Sequence, residues 1–267
     1  MADAVLGARR ARGRRRVLHP VIIGGITVLL LLVAAELLFQ LLLRDVLVIR
    51  RVAVESELGF SSAELLQIAG IGESEYFFGL DTELVRRNLE QHPLVREAHV
   101  QKSFPDTLSI ALDARKPLAV AFATVGGALT PVVFDEEGVV FQVGTDLSDW
   151  DLPIVSGLQL ESVRPGVQLP AMLHDFLADL KSLQLAAPTL FRQISEYRIV
   201  RRGQQDFEVL LYPVSYPVPV RIGPTLDETL FKYIVMVLDV FQREGRLSAL
   251  AELDFRAGEV VYRLRED

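Results

Sequence analysis

The sequence predicts an α+β protein carried by a single N-terminal transmembrane helix, and three observations point there. Residues 21–43, VIIGGITVLLLLVAAELLFQLLL, form an apolar run of 23 residues. Behind it, about 70 residues carry the order strand, helix, helix, strand, strand, the pattern of a small sheet with two helices on one face. The remainder reads as a larger, mostly antiparallel β-domain with two amphipathic helices.

The apolar run is long enough to settle its own role. At about 1.5 Å per residue it reaches roughly 34 Å, against a hydrocarbon core of about 30 Å. A buried core helix would be shorter and carry polar positions at each turn. A cleaved signal would have an apolar region of about 7–15 residues ending in small residues, and none follow Leu37. A retained span is expected. Arg9, Arg10, Arg12, Arg14, Arg15 and Arg16 against Asp3 give residues 1–16 a charge of +5, whereas 22 Lys/Arg face 33 Asp/Glu beyond the span. Basic residues beside a span stay in the cytoplasm. Residues 1–20 are therefore expected to be a basic cytoplasmic tail of a single-pass protein of the cytoplasmic (inner) membrane, with the bulk extracytoplasmic or periplasmic. Topology accounts for these arginines more simply than nucleic-acid binding does. Inside the run, Glu36 and Gln40 share a helix face with Arg44. A carboxylate is costly in hydrocarbon, so Glu36 either leans toward Arg44 and the headgroups or, with Gln40, contacts a neighbouring span.

Composition removes several chemistries. Cysteine is absent, which excludes disulfides, thiolate zinc sites and cysteine nucleophiles. His19, His92, His99 and His174 lack paired ligand spacing, so no metal is expected. No G-x-S-x-G, S-x-x-K, H-E-x-x-H or phosphate-cradling glycine motif follows the span. Asp135, Glu136 and Glu137 sit beside Gly138 and read as solvated turn formers rather than a catalytic pair. The expectation is no catalytic residue, no cofactor and no small-molecule substrate.

Residues 51–55 alternate, with Val52 and Val54 on one face of a half-buried strand. Ser61 and Glu64 make a capping box for a helix burying Leu65, Leu66, Ile68 and Ala69, stopped by Gly70 and Gly72. Asp81-Thr82 opens a second helix with Leu84, Val85 and Leu89 on one face, and His92-Pro93 ends it. Strands follow over 95–103 and 107–115, joined at Phe104-Pro105-Asp106. The segments YFFGLD (76–81), HPLVREAHV (92–100), FPDTLSI (104–110) and RKPLA (115–119) together resemble a POTRA domain, expected over 46–117.

The β-domain is expected over 118–267. Runs at 118–124 and 129–134 flank Gly126-Gly127 as a hairpin, 135–138 turns, and 139–143 returns as a strand. Residues 152–157 read as an extended connector. Met172, Leu173, Phe176, Leu177, Leu180 and Leu183 mark a helix over 170–185. Strands at 194–202, 207–211 and 218–222 lead to a helix over 225–243, whose stripe is Leu226, Leu230, Tyr233, Ile234, Val237, Leu238 and Phe241. Strands at 250–256 and 259–264 close the chain around Ala257-Gly258.

FDEEGVVF (134–141), LPIVSG (152–157), VRIG (220–223) and LDFR (253–256), in this order behind tail, span and POTRA-like segment, resemble the FtsQ/DivIB family of bacterial division proteins. The resemblance implies a non-enzymatic bitopic scaffold of the divisome, linking coiled-coil membrane proteins of the FtsB/FtsL (DivIC) type to septal cell-wall synthesis. The residues alone make Val260, Val261, Tyr262, Arg263 and Leu264 the last strand and a candidate sheet edge, open to augmentation or simply kept single by its charges. The resemblance implies docking there, with Arg256 contributing; Ala257 stands where the family places an aromatic, and Tyr262 is the nearby ring. The competing readings are another POTRA-containing envelope assembly factor and a membrane-anchored cell-wall hydrolase.

Overall fold

A computed structural model describes residues 22–39, 47–72, 75–144, 151–160, 163–203 and 206–265. Its first helix, α1 (Ile22–Phe39), has a mean hydropathy of 2.6, is unburied, and is long and apolar enough to cross a membrane. The basic tail, Gln40 and the ends of the expected span lie outside the described residues. The chain divides into two compact units, one of Met1–Glu55, Phe60–Arg86 and His99–Ala111, the other of Ser56–Gly59, Arg87–Ala98 and Leu112–Asp267.

A three-stranded sheet of β1 (Arg51–Ser56), β2 (Val95–Ser103) and β3 (Thr107–Ala114) has the order β1-β3-β2. Helices α2 (Ser62–Ala69) and α3 (Thr82–Glu90) separate β1 from β2. The capping box forms: Ser61 Oγ accepts from the Glu64 amide, and Glu64 Oε2 accepts from the Ser61 amide at 2.8 Å. Gly70, at φ 71°, closes α2 in the left-handed region. Its buried face is narrower than the sequence suggests, because Leu65 and Ala69 are buried while Leu66 and Ile68 are only half-buried. The same holds for α3. Asp81 Oδ1 accepts from the amides of Glu83 and Leu84, Val85 and Leu89 are buried one turn apart, and Leu84 is 49% exposed. A nine-residue helix seated on an i, i+4 pair leaves its neighbour, about 100° away, outside the contact.

The larger sheet has nine strands in the order β12-β11-β10-β9-β8-β7-β4-β5-β6. They are β4 (Ala119–Val125), β5 (Ala128–Phe134), β6 (Val140–Val143), β7 (Ile154–Ser156), β8 (Ile194–Arg201), β9 (Phe207–Pro213), β10 (Val220–Ile222), β11 (Leu250–Asp254) and β12 (Val261–Leu264). Antiparallel pairs predominate; β7 runs parallel to both neighbours, and β10 runs parallel to β11. The β4–β5 hairpin turns on Gly126 and Gly127, both at positive φ, as a two-residue I′ turn demands.

Two readings change here. Residues 152–157 are not a connector: they hold β7, a strand in the middle of the sheet between β4 and β8, with Val155 fully buried. Gly157 follows at φ +79°, and a Cβ there would lie 2.1 Å from the Ile199 carbonyl oxygen, so only glycine fits. The last long helix also starts later. Asp227 caps α6 (Glu228–Arg243) by accepting from the Leu230 amide at 2.6 Å; Phe231, Ile234 and Leu238 are the buried residues of the helix, and Tyr233 is 38% exposed.

Helix α4 (His174–Ala186) follows a 3-10 turn at Ala171–Leu173, and the four-residue α5 (Pro188–Phe191) comes after it. Phe176, Leu177, Leu180 and Leu183 of α4 and the buried stripe of α6 share one core with residues from β4, β5 and β7 through β11. Asp179 ties the two helical regions, its carboxylate accepting from the Leu226 amide at 2.9 Å.

The acids after β5 are a correction. Asp135 does form the turn, its Oδ1 accepting from the amides of Glu137 and Val139 at 3.0 and 2.9 Å, but it is fully buried rather than solvated. Its other oxygen meets Arg115 Nη1 at 2.5 Å, and Arg115, 12% exposed at its side chain, also reaches Glu137 at 2.9 Å. Glu136 is held by Arg96 at 3.1 Å and Lys181 at 3.7 Å. All three acids are thereby committed to cations. Removing one partner of a buried pair leaves the other charge uncompensated, at about 3–5 kcal/mol. Arg115→Met is therefore expected to lower unfolding stability by about that amount in urea titration, far more than an exposed-pair change such as Arg246→Met.

Candidate functional site

The nine-stranded sheet has two edges, and they are treated differently. At one, β6 is covered: Val140 N–H donates to Val167 O at 2.8 Å, Gly166 N–H donates to Val140 O at 2.7 Å, and Val139 bridges Gln168. At the other, β12 pairs among the described residues only with β11, and all four of its residues are exposed. An uncovered edge presents unpaired amides and carbonyls to another chain.

The register gives β12 two distinct faces. Tyr262 stands opposite Leu253, and Leu264 opposite Leu250. Both partners are fully buried, so Tyr262 and Leu264 continue the core side of the sheet, yet they remain 46% and 54% exposed. The core thus runs off the edge as an uncovered apolar strip. Tyr262 packs its ring at 5.9 Å from that of Phe241 on α6, and the Arg246 guanidinium lies 5.4 and 5.8 Å from the two ring centroids. Met236 and Val240 extend exposed apolar surface along α6. Arg265 locks the strand behind Leu264, its amide donating to Ala249 O at 2.9 Å and its Nε to Leu250 O at 3.0 Å.

On the opposite face, Val261 and Arg263 stand across from Asp254 and Glu252 at the end of a charged ladder. Glu208 on β9 accepts from Arg202 and Arg221, each at 2.8 Å, and from Arg256. Arg221 on β10 is bidentate to Glu252 on β11, at 2.6 and 3.0 Å. Arg256 also grips Asp254, and Arg263 reaches Glu252 at 3.5 Å. The Arg202 hydrogen bond, with those from Arg221 and Arg256, holds the Glu208 carboxyl below the usual range against an opposing effect of burial. Asp254 is lowered likewise, chiefly by Arg256. Only Arg263, 73% exposed at its side chain, faces the open end of the ladder.

Of the residues singled out from sequence, Val261, Tyr262, Arg263 and Leu264 lie together on β12, and Arg256 sits in the turn before it, within the ladder. Val260 precedes the strand and packs half-buried against the core. Glu36 lies on α1, and Gln40 falls outside the described residues. Sequence reasoning passed over Glu208, Arg221 and Glu252 as parts of the site. Each carried a signal: it is a charge between apolar residues at strand spacing, which puts it on the outward face.

Residues 47–115, which span the three-stranded sheet and its helices, match the family model of the POTRA domain, FtsQ-type. The chain is 28% identical over 198 residues to the cell division protein FtsQ of Myxococcus fulvus, covering 74% of this chain and 66% of that protein. It is also 28% identical over 214 residues to FtsQ of Anaeromyxobacter, covering 79% and 69%, and 25% identical over 176 residues to FtsQ of Geotalea daltonii, covering 66% and 61%. The chain is similar to FtsQ proteins over most of its length. It spans about two thirds of the length of the FtsQ proteins it matches. The matched FtsQ-type domain ends at residue 115, so the open edge at β12 lies outside it.

The ladder gives the stability of this chain a pH dependence. A carboxyl held below its ordinary value stabilises the fold fully above that value, 4.5 for glutamate, and the contribution is lost as pH falls through the folded value. Glu208→Gln is expected to lower stability at neutral pH and to flatten the acid loss between about pH 5 and pH 3, measured as thermal midpoint against pH.

Proposed function

We propose that this chain is a non-enzymatic membrane scaffold of the bacterial division machinery, joining coiled-coil membrane proteins of the FtsB/FtsL (DivIC) type to septal cell-wall synthesis. The names of its relatives support a role in division. The observation that carries the docking proposal is the open β12 edge, in a sheet whose other edge is covered. Within this reading, residues 1–20 are a cytoplasmic tail, 21–43 the span in the inner membrane, 46–117 the POTRA domain and 118–267 the β-domain. The positive tail supports an orientation with the folded units outside the cytoplasm.

The action is assembly rather than reaction. A span confines the protein to the plane of the membrane and raises its effective concentration for partners anchored beside it. A partner strand completing β12 gains main-chain hydrogen bonds for affinity and side-chain matching for specificity. Apolar residues on its core side would cover Tyr262 and Leu264, and an acid on its other side would meet Arg263. Arg256, tied into the ladder, holds the turn that presents the strand.

The test is recovery of the coiled-coil partner with full-length protein from detergent-solubilised membranes. Tyr262→Asp with Leu264→Asp places charges on exposed positions, so the fold is expected to persist while partner recovery falls at least about tenfold, the equivalent of 1.4 kcal/mol. Undiminished recovery would sink strand docking. Release of soluble fragments from peptidoglycan by the purified protein would overturn the scaffold reading itself.

A further inference from the structure

We propose that Phe78 and Phe104 form a membrane-interface foot, seated in the lipid headgroup layer of the same membrane that α1 crosses. The proposal rests on reading α1 as a span. Both rings are large, apolar and outward, 60% and 71% exposed. They are also held in place. Phe78 meets the Phe77 ring edge-on at 5.4 Å, Phe104 meets it edge-on at 6.0 Å, and Tyr76 flanks Phe78 at 5.8 Å. Phe77 itself is buried, so the cluster is rooted in its unit and turned outward at two points.

Its position follows from the backbone. The segment carrying Phe78 is bonded to the first described residues after the apolar run: Phe77 N–H donates to Leu47 O at 2.8 Å, Val48 bridges Tyr76, and Ile49 N–H donates to Glu75 O at 3.0 Å. The turn carrying Phe104 is bonded just beyond, where the amides of Arg50 and Arg51 donate to Asp106 O at 2.9 and 3.2 Å. The Arg51 guanidinium then pairs with the Asp106 carboxylate at 2.7 Å. Only residues 44–46 separate Leu43, the end of the apolar run, from Leu47. Even fully extended, those four steps reach about 14 Å. The headgroup layer occupies roughly 5–8 Å on each side of the hydrocarbon. The tether therefore holds Leu47 within about 14 Å of the hydrocarbon, which brings the aromatic segments bonded to it within reach of that layer.

The chemistry suits that layer. Aromatic rings partition to the boundary between headgroups and acyl chains, and basic side chains beside them reach phosphates. Lys102 stands 5.4 Å from the centroid of the Phe77 ring, donating its ammonium to the carbonyls of Phe77 and Leu80 at 3.0 and 2.9 Å. Arg50 and Arg51 lie on the segment that carries both turns, which favours a surface rich in anionic lipid.

The test uses full-length protein in vesicles of phosphatidylethanolamine and phosphatidylglycerol, with and without phosphatidylcholine brominated near the glycerol end of its chains for positions 78 and 104, and near the methyl end for the span reference. Trp150 is the sole tryptophan, so Trp150→Phe supplies a dark background. Phe78→Trp and Phe104→Trp are added singly, with Leu30→Trp in α1 as the reference for the span. The expected result is bromolipid quenching of both new tryptophans and blue-shifted emission. Quenching of Leu30→Trp with none at positions 78 and 104 overturns the foot and leaves the span intact. Absence of quenching at Leu30→Trp instead removes the span reading, and the foot with it. Blue-shifted but unquenched emission at 78 and 104 assigns the rings to a protein surface and likewise overturns the proposal.

Discussion

The structure is governed by a geometric constraint: an open sheet of nine strands has to end. Strands lie about 4.8 Å apart, so eight gaps make a sheet roughly 38 Å wide, whereas two helices of about 10–12 Å each cover little more than half of it. The margins must be managed by other means. At β6 the chain folds residues 166–169 back along the strand and satisfies its amides and carbonyls. At β12 the core side continues through Tyr262 and Leu264 without a cover. A soluble protein ordinarily blunts such an edge, and here the blunting is partial: the strand is four residues long and carries Arg263. Among the described residues, the two edges thus differ: β6 is covered and β12 is left open.

What holds that edge ready is a division of labour between the sheet's faces. Toward the helices, aromatic contacts seat Tyr262 against Phe241 and Phe255 against Tyr233. Toward the other side, Glu208, Arg221, Glu252, Asp254 and Arg256 are paired across β9, β10, β11 and the turn before β12. A one-residue slip of β11 against β10 would exchange apolar and charged positions, so the ladder and the core enforce one register together. The buried Arg115–Asp135 pair does similar work after β5, where one carboxylate organises a turn and satisfies a guanidinium.

The proposed membrane contacts act on the unit that carries them: resting on the lipid surface, it samples fewer orientations than it would on a free linker. In the proposed docking, specificity comes from matching two faces of one strand, apolar on one side and cationic on the other.

Much of this was legible in the residues. The apolar run, the capping box at Ser61 and Glu64, the I′ turn at Gly126-Gly127 and the alternation of Leu108, Ile110 and Leu112 are local signals, and each produced the element it promised. The motifs behind the POTRA and FtsQ resemblance worked for the same reason, since turns and caps are written in short stretches. What tertiary structure alone decided is non-local. Three residues of β7 are too short to show a period, and only parallel pairing with β4 and β8 makes them a strand. Phe231 rather than Tyr233 fills the buried stripe because that side of α6 packs into the core of the sheet, a contact made by residues far away in the chain. Asp135 is dry because Arg115, twenty residues earlier, meets it. The sequence by itself determined most of the helices and strands, β7 excepted; the fold decided which edge is left open, because an edge is defined by what fails to pair with it.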